Sequence, residues 1–244
     1  MATVRNSEFA GYKGKLGKII FRTRYGKTVA YRIPENFKKS ESEASKANRK
    51  KLKPMAQFAS NICLLPELKQ IWQLERETKA TSAYHKIEKK NAIFFNHFHP
   101  TINNEIVPGG FGCQRDGAIL NKDEMRINIS FPDRPVVDEA DMEFLKRYLV
   151  IAIICFYDPV NKKDEDFAFY NIYKNISNWE MWNPIEARYQ FSEEEGKIFS
   201  EYRKSILFYT VIACDAEGYY LGHSFSYSLE FDNITGQEET LKIK

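Results

Sequence analysis

The chain has 244 residues, 43% of them hydrophobic and 28% charged, which is typical of a soluble globular protein. No apolar run reaches the ~18–20 residues of a membrane span, so the sequence excludes a transmembrane helix, and we expect no membrane partner. The net charge of +3 hides two oppositely charged parts. Residues 1–100 carry 21 Lys and Arg against 8 Asp and Glu, whereas residues 101–244 carry 15 against 25. This asymmetry predicts a basic region that meets an anionic partner.

The compartment is predicted from the amino terminus and the cysteines. The first residues lack the apolar core of a signal peptide, so we expect a cytoplasmic protein. No two cysteines form a C-x-x-C pair, which predicts free, mostly buried thiols at Cys63, Cys113, Cys155 and Cys214. Cys155 and Cys214 each lie in an apolar run, and two such strands can be neighbours in a sheet without a bond between the sulfurs.

Residues 17–33 predict a β-hairpin, because two β-rich runs flank Tyr25-Gly26 and glycine can supply the positive φ of a tight turn. A lone hairpin is marginal in water, so we expect this one to dock on its own domain or on another subunit. The glycine-rich segment 11–17 before it is expected to be a turn and not a phosphate loop. Leu16 stands where a Walker motif needs Ser or Thr, and no strand precedes the segment.

Three helices are predicted within residues 35–100. Ser40 and Ser82 are expected to begin the first and the third, and Pro66 opens the second. Pro54 interrupts the first helix and is expected to kink or split it. The residues expected on the buried face of the second helix are Leu68, Ile71 and Trp72.

The remainder of the chain is predicted to be β-rich. Expected strands are 117–121, 125–131, 148–157, 166–173, 186–191, 205–214 and 219–231. About seven strands with such spacing indicate an immunoglobulin-like β-sandwich in architecture. The fold class is therefore α+β: an N-terminal β-hairpin plus short helices, then an antiparallel β-sandwich. The domains are a basic hairpin-plus-helix region at 1–100, a linker at 101–116 and an acidic β-sandwich domain at 117–244.

Several short motifs resemble a known set of proteins. Those near the amino terminus are Gly14-Lys-Leu-Gly17, Ile20-Phe-Arg22, Gly26-Lys-Thr-Val29, Pro34, Pro66-Glu-Leu-Lys69, Ser82-Ala-Tyr84 and Phe94-Phe95. Those in the second half are Tyr157-Asp-Pro-Val-Asn161, Phe208-Tyr209 and Ser224-Phe-Ser-Tyr227. In these motifs the chain is similar to uncharacterised bacterial proteins, mainly from Bacteroidota, with a domain of unknown function. The resemblance implies a two-part organisation, and it implies no catalytic residues.

Candidate catalytic and metal sites are weak in this sequence. The pair His97 and His99 lacks the three or four closely spaced ligands of a zinc site. His223 with Asp215 lacks a nucleophile on a sharp turn, so we expect a strand histidine near a sheet edge. The carboxylates of Glu193–Glu195 open a predicted helix, where they favour its dipole. We therefore expect no catalytic residues, no metal and no cofactor.

The basic N-terminal region is the candidate site. Its residues are Lys13, Lys15, Lys18, Arg22, Arg24, Tyr25, Lys27, Arg32, Arg49, Lys50, Lys51 and Lys53. Three roles fit them: a solvated surface, phosphate binding, and docking on an acidic protein surface. The first hypothesis is a non-enzymatic structural or assembly protein that forms a homo-oligomer or a larger protein assembly. The second is sequence-nonspecific nucleic-acid binding, since aromatic residues interleave with the basic ones.

Overall fold

A computed structural model describes residues 2–3, 13–24, 27–33, 41–96, 98–131, 143–161, 165–176, 184–235 and 237–238. Several sequence predictions lie outside these residues, namely the hairpin turn at Tyr25-Gly26, the helix start at Ser40 and the histidine at position 97. The chain divides into two compact units, residues 1–45 and residues 46–244, and each is described by itself.

The first unit contains a four-stranded antiparallel sheet with the order β1-β4-β3-β2. Its strands are β1 (Ala2–Thr3), β2 (Gly14–Leu16), β3 (Ile19–Arg24) and β4 (Lys27–Arg32). The pairing of β3 with β4 confirms the predicted hairpin. The segment 14–16 was expected in a turn but forms β2, and the turn lies at Gly17-Lys18. Gly17 has a φ of 57°, the left-handed conformation that a two-residue hairpin turn needs.

Three helices follow, and they confirm most of the predicted starts. They are α1 (Glu43–Leu64), α2 (Pro66–Leu74) and α3 (Ala83–Asn91). The Ser82 hydroxyl accepts a hydrogen bond from the His85 backbone N–H at 3.3 Å and so caps α3. The predicted split at Pro54 is wrong, because α1 continues through this residue. Pro54 is buried beside Phe58, so tertiary packing offsets the backbone hydrogen bond that proline cannot donate.

Two antiparallel sheets follow the helices in the chain. Their elements are β5 (Gln114–Leu120), β6 (Glu124–Ser130), β7 (Arg147–Pro159), β8 (Phe167–Ile176), β9 (Ile185–Gln190), α4 (Glu193–Gly196), α5 (Ile198–Glu201), β10 (Tyr202–Cys214), β11 (Tyr220–His223), β12 (Tyr227–Asp232) and β13 (Gln237–Glu238). One sheet has the order β5-β6-β9. The other has the order β13-β12-β10-β7-β8, and β11 also pairs with β10. The strand expected at 219–231 is divided into β11 and β12.

The paired strands β7 and β10 form the middle layer of the second unit. Their side chains alternate between two cores, as successive residues of a strand point to opposite faces. Ile151 and Ile153 pack with the buried side chains of α1, α2 and α3. Val150 and Ile154 pack with those of β6 and β9. Burial on both faces explains why these strands read as continuous apolar runs. The described chain is therefore mixed α and β, with mostly antiparallel strands.

The structure does not place a linker at residues 101–116. Ile106 and Val107 are fully buried in the core that the helices share with β7 and β10. The Trp72 indole N–H donates to the Ile106 carbonyl at 2.8 Å, and the Ile106 N–H donates to the Ser226 hydroxyl at 2.9 Å. The helices belong to the same compact unit as the strands, because their apolar faces are buried against the sheet. The two units divide after Ser45 and not at the change of charge sign.

Candidate interaction surface

Basic side chains of the first sheet are sorted between its two faces by the strand register. Residues that pair across an antiparallel sheet share a face, and neighbours along a strand alternate. Lys15 pairs with Ile20, which pairs with Tyr31. Arg22 pairs with Val29. Arg22 lies two residues after Ile20 on β3, and Val29 lies two residues before Tyr31 on β4, so this pair lies on the same face. This side of the sheet, here named the cationic face, is formed by Lys15, Ile20, Arg22, Lys27, Val29 and Tyr31.

The three cations of the cationic face are exposed, whereas its apolar members are partly buried. The Arg22 guanidinium carbon lies 5.7 Å from the centroid of the Tyr31 ring. At this distance the ring attracts the cation, and it also limits the positions that the long side chain samples. The face thus combines positive charge with an aromatic surface, a combination that suits an anionic partner.

The opposite face of the sheet is different in character. Phe21 is 6% exposed and Thr28 is also buried, while Leu16 and Ile19 are about half exposed. Arg32 pairs with Ile19 and therefore belongs to this face and not to the cationic face. The register thus divides residues that the sequence grouped together.

The remaining predicted residues lie elsewhere. Lys13 and Lys18 flank β2 and are exposed, whereas Tyr25 and the side chain of Arg24 lie outside the described residues. The second basic cluster is on α1, in the other compact unit. In it Arg49, Lys50 and Lys53 are exposed and Lys51 is partly buried. The Lys53 ammonium lies 5.9 Å from the centroid of the Phe167 ring, which holds it against the unit's own surface.

A cavity of about 440 Å³ opens at the edge of the first sheet. It is named here the edge cavity, and its lining residues are Lys13, Gly14, Ile20, Phe21, Arg22 and Thr23. Two cations, Lys13 and Arg22, are among these residues, next to the point where β2 ends.

His223 is a structural residue of β11, at the position where a strand histidine was expected. Its Nε2 lies 3.2 Å from the Pro108 carbonyl and its Nδ1 lies 2.5 Å from the Tyr220 hydroxyl. A neutral ring fits both contacts, with Nε2 donating and Nδ1 accepting. Burial lowers the pKa of His223, which favours that neutral form. Asp215 accepts from the Tyr219 N–H and is not its partner.

His99 is likewise held by packing. Its ring stacks on Tyr157 with centroids 3.9 Å apart, and burial lowers its pKa. Its Nδ1 lies 2.6 Å from the Pro100 carbonyl. The other histidine of the pair lies outside the described residues. Among the residues that the structure describes, no group of three His, Cys, Asp or Glu is placed to hold a metal ion.

The acidic segment at 193–195 forms a capping box and a hydroxyl cluster. Glu195 accepts hydrogen bonds from the Ser192 backbone N–H and hydroxyl, each at 2.8 Å. It also accepts from the Tyr170 hydroxyl and, at 2.9 Å, from the Tyr189 hydroxyl. The hydrogen bond from Tyr170, followed by those from Ser192, lowers the pKa of Glu195 to about 2. The cluster joins β8, β9 and α4, so its role is structural.

Glu195 is expected to make stability fall with acid. Its folded pKa lies below the ordinary 4.5, so its contribution is complete above that value and is lost as the pH falls towards 2. Replacing Glu195 by Gln should lower the urea midpoint at neutral pH, and the deficit should shrink in acid. Glu193→Gln, on the same helix and exposed, is the control. If Glu195→Gln lowers the urea midpoint equally at neutral and at acid pH, the stabilising role of the ionised Glu195 is contradicted.

The four cysteines are free, as predicted. Cys155 lies opposite Ile206 and Cys214 lies opposite Arg147, so the two are not neighbours in the sheet.

None of the helices in the described part of the chain has the length and apolar character that a membrane span requires. Comparison with protein-family models, with curated proteins and with solved structures finds no match for this chain.

Proposed function

We propose that this chain is a non-enzymatic structural or assembly protein that docks through its basic N-terminal region on the acidic part of a second copy. The observation that carries the proposal is the register of the first sheet, which groups Lys15, Arg22 and Lys27 on one exposed face. The complementary charge lies in residues 101–244, where acidic residues outnumber basic ones by ten. Opposite charges steer association and fix which surfaces meet.

The symmetry of the assembly follows from the nature of this contact. A basic face that meets an acidic face joins two different surfaces, so each copy keeps one of each for further copies. Such a heterologous contact produces a ring when the rotation closes and a helical polymer when it does not. The proposed product is therefore a homo-oligomer or a larger protein assembly.

An immunoglobulin-like architecture for the acidic part, residues 117–244, is also a proposal. It is supported by the distribution of the strands: β5, β6 and β9 form one sheet, while β7, β8, β10 and β12 belong to the other. Side chains of both sheets share one core, as in a sandwich. The resemblance to uncharacterised Bacteroidota proteins and the cytoplasmic location also stay proposals, and both depend on the sequence.

Nucleic-acid binding is the second candidate function. It is favoured by Tyr31, because an aromatic ring among exposed cations is the arrangement that stacks on bases and contacts phosphates. A gel shift with random duplex and single-stranded DNA at about 50 mM salt discriminates between the two functions. Retention of DNA that falls steeply with salt would favour this candidate.

Reversing the charge of the cationic face should weaken association. The variant K15E/R22E/K27E is expected to reduce self-association at low salt at least about tenfold, since three attractive contacts become repulsive. The control K69E/K122E/K197E makes the same change in net charge at exposed lysines of the other unit. Light scattering over a concentration series measures both. If both variants reduce self-association equally, net charge and not the cationic face controls association, and the proposal fails.

A further inference from the structure

The loop that follows α3 is built around the side chain of Asn96. Its Oδ1 atom accepts hydrogen bonds from the backbone N–H groups of Phe98 and His99, at 2.8 and 2.7 Å. Because only the oxygen of an amide can accept two N–H groups, the other atom is the NH2 group. The backbone of the loop therefore fixes the orientation of the Asn96 side chain.

The NH2 group of Asn96 contacts the ring of His99. Asn96 Nδ2 lies 2.9 Å from His99 Nε2, and His99 Nδ1 lies 2.6 Å from the Pro100 carbonyl oxygen. Since the NH2 group can only donate and the carbonyl can only accept, Nε2 is the acceptor and Nδ1 carries the proton. The loop thus fits a neutral His99 ring in one tautomer.

Protonation of His99 would place a hydrogen on Nε2 and turn this hydrogen bond into a contact between two donors. The amide of Asn96 cannot avoid the contact by rotating, because its NH2 group would then face the two backbone N–H groups. Burial lowers the pKa of His99, and the ammonium of Lys204 on β10 acts in the same direction. All three features oppose the charged ring.

Three groups around the imidazole act the other way. The Pro100 carbonyl and the Asp158 carboxylate both raise the pKa of His99, although Asp158 is itself paired with Arg203 at 3.7 Å. The ring of Tyr157, stacked on the imidazole with centroids 3.9 Å apart, attracts a cation. Burial outweighs them, since the pKa of His99 lies below its ordinary value.

We propose that His99 is a pH-sensitive latch, which holds residues 96–100 against Tyr157 of β7 while it is neutral and releases them when it is protonated. The stacked imidazole lies on Tyr157, which is 6% exposed. Tyr157 stays in place on release, since it lies within β7 and its hydroxyl donates to Glu230 on β12. The latch lies within the second unit and does not depend on the proposed assembly.

The released segment ends at Thr101. The Thr101 hydroxyl donates to the Phe94 carbonyl at 2.8 Å, and its N–H donates to the side-chain oxygen of Asn104 at 2.7 Å. The Ser228 hydroxyl donates to the Ile102 carbonyl. None of these three bonds contains a group that titrates in mild acid, so acid leaves them intact. We therefore expect a local opening and not the unfolding of the unit.

The direction of the pH dependence follows from the two forms of the loop. In the released loop His99 has its ordinary pKa of about 6.5, whereas in the closed loop its pKa is lower. The released form therefore binds protons more readily, so closure is most stable above about pH 6.5 and weakens as the pH falls below it. Between about pH 7.5 and pH 5 the equilibrium shifts by up to ~30-fold, the limit for a closed form that stays neutral.

Amide hydrogen exchange of the full chain, followed by mass spectrometry, tests the latch. Protection is compared at about pH 7.5 and pH 5 after correction for the intrinsic exchange rate at each pH. We expect protection of residues 96–101 to fall at least about threefold in acid, while that of β10 stays constant. His99→Phe keeps an aromatic ring beside Tyr157 without a titrating group, so its protection should not change with pH.

Asn96→Asp reverses the sign of the effect with a change of one NH2 group to an oxygen. One carboxylate oxygen still accepts the two backbone N–H groups, and the other accepts from Nε2 of a protonated His99. The midpoint of the His99 titration, followed by nuclear magnetic resonance, should rise by at least about one pH unit. The loss of protection in acid should disappear. The His99 signal is assigned by its absence from the spectrum of His99→Phe.

The outcomes decide for or against the latch. Equal protection of residues 96–101 at both pH values in the wild type would overturn it. A loss in acid that persists in His99→Phe would also overturn it, because another group, such as the histidine at position 97, then titrates. An unchanged His99 midpoint in Asn96→Asp would show that the amide does not control the ring. Far-ultraviolet circular dichroism confirms that each variant is folded.

Discussion

Replacing Phe58 by alanine is expected to destabilise the unit of residues 46–244 by about 3–5 kcal/mol. Phe58 lies on α1, is fully buried, and meets aromatic rings from three other parts of this unit. Its ring centroid is 5.5 Å from those of Phe95 and Phe208 and 6.1 Å from that of Phe169. Truncation removes these ring contacts and leaves a cavity between the helices and the six-stranded sheet.

The matched control is Leu64→Ala on the same helix. Leu64 is 71% exposed, so its loss should change stability by less than about 0.5 kcal/mol. Urea unfolding followed by far-ultraviolet circular dichroism, whose spectrum separates the helical signal from the strand signal, measures both variants. If the helices and the strands form one cooperative unit, the two signals shift together in Phe58→Ala. Loss of the helical signal alone would instead support the domain boundary at 101–116 that the sequence predicts.

Replacing Gly110 by alanine is expected to cost about 2–6 kcal/mol, since a strained φ and a steric overlap each cost about 1–3 kcal/mol. Gly110 has a φ of 130°. A Cβ at this position would lie 2.5 Å from the Ser224 carbonyl oxygen and 2.6 Å from that of His223. These are backbone atoms, which cannot move aside as a side chain does.

The close approach at Gly110 exists because the chain there covers the region between β11 and β12. The Phe111 N–H donates to the His223 carbonyl at 2.9 Å, and the Phe225 N–H donates to the Phe111 carbonyl at 3.0 Å. Alanine at Gly110 would push this segment away and break both hydrogen bonds. We therefore expect the free energy of unfolding of the whole unit to fall, and not only a local change around Gly110.

Two neighbouring glycines provide graded controls for Gly110. Gly109 has a φ of 65° and open space around its Cβ position, so Gly109→Ala should cost roughly 1–2 kcal/mol. Gly112 has neither a positive φ nor a close contact, and Gly112→Ala should change stability by less than about 0.5 kcal/mol. Thermal unfolding of the three variants ranks them. Equal losses at all three positions would contradict the steric explanation.

Much of the secondary structure was predictable because its signals are local. The apolar runs at 148–157 and 205–214 predict β7 and β10, and proline at position 66 predicts the start of α2. Periodicity shows that Phe58 and Trp72 are buried but not what they are buried against. They are buried against β7 and β10, which begin at Arg147 and Tyr202, far along the chain from both residues. The predicted domain boundary was misplaced for this reason.

The candidate surface was predictable only in part. Clustering of basic residues near the hairpin is visible in the sequence, but the face of each residue depends on the exact pairing. Arg22 and Arg32 have the same chemistry, yet the register places them on opposite faces. The strand at 14–16 was missed because two glycines and a lysine-rich segment have low β propensity. The edge cavity beside it could not be anticipated without that strand.

Sedimentation velocity of the unmodified chain tests the central claim most directly. The experiment compares about 20 mM with about 500 mM salt over a range of protein concentrations, because screening shortens from roughly 20 Å to a few ångströms between them. We expect larger species that grow with concentration at low salt and dissociate at high salt. A single monomer-sized species at every concentration in both buffers would contradict assembly through opposite charges.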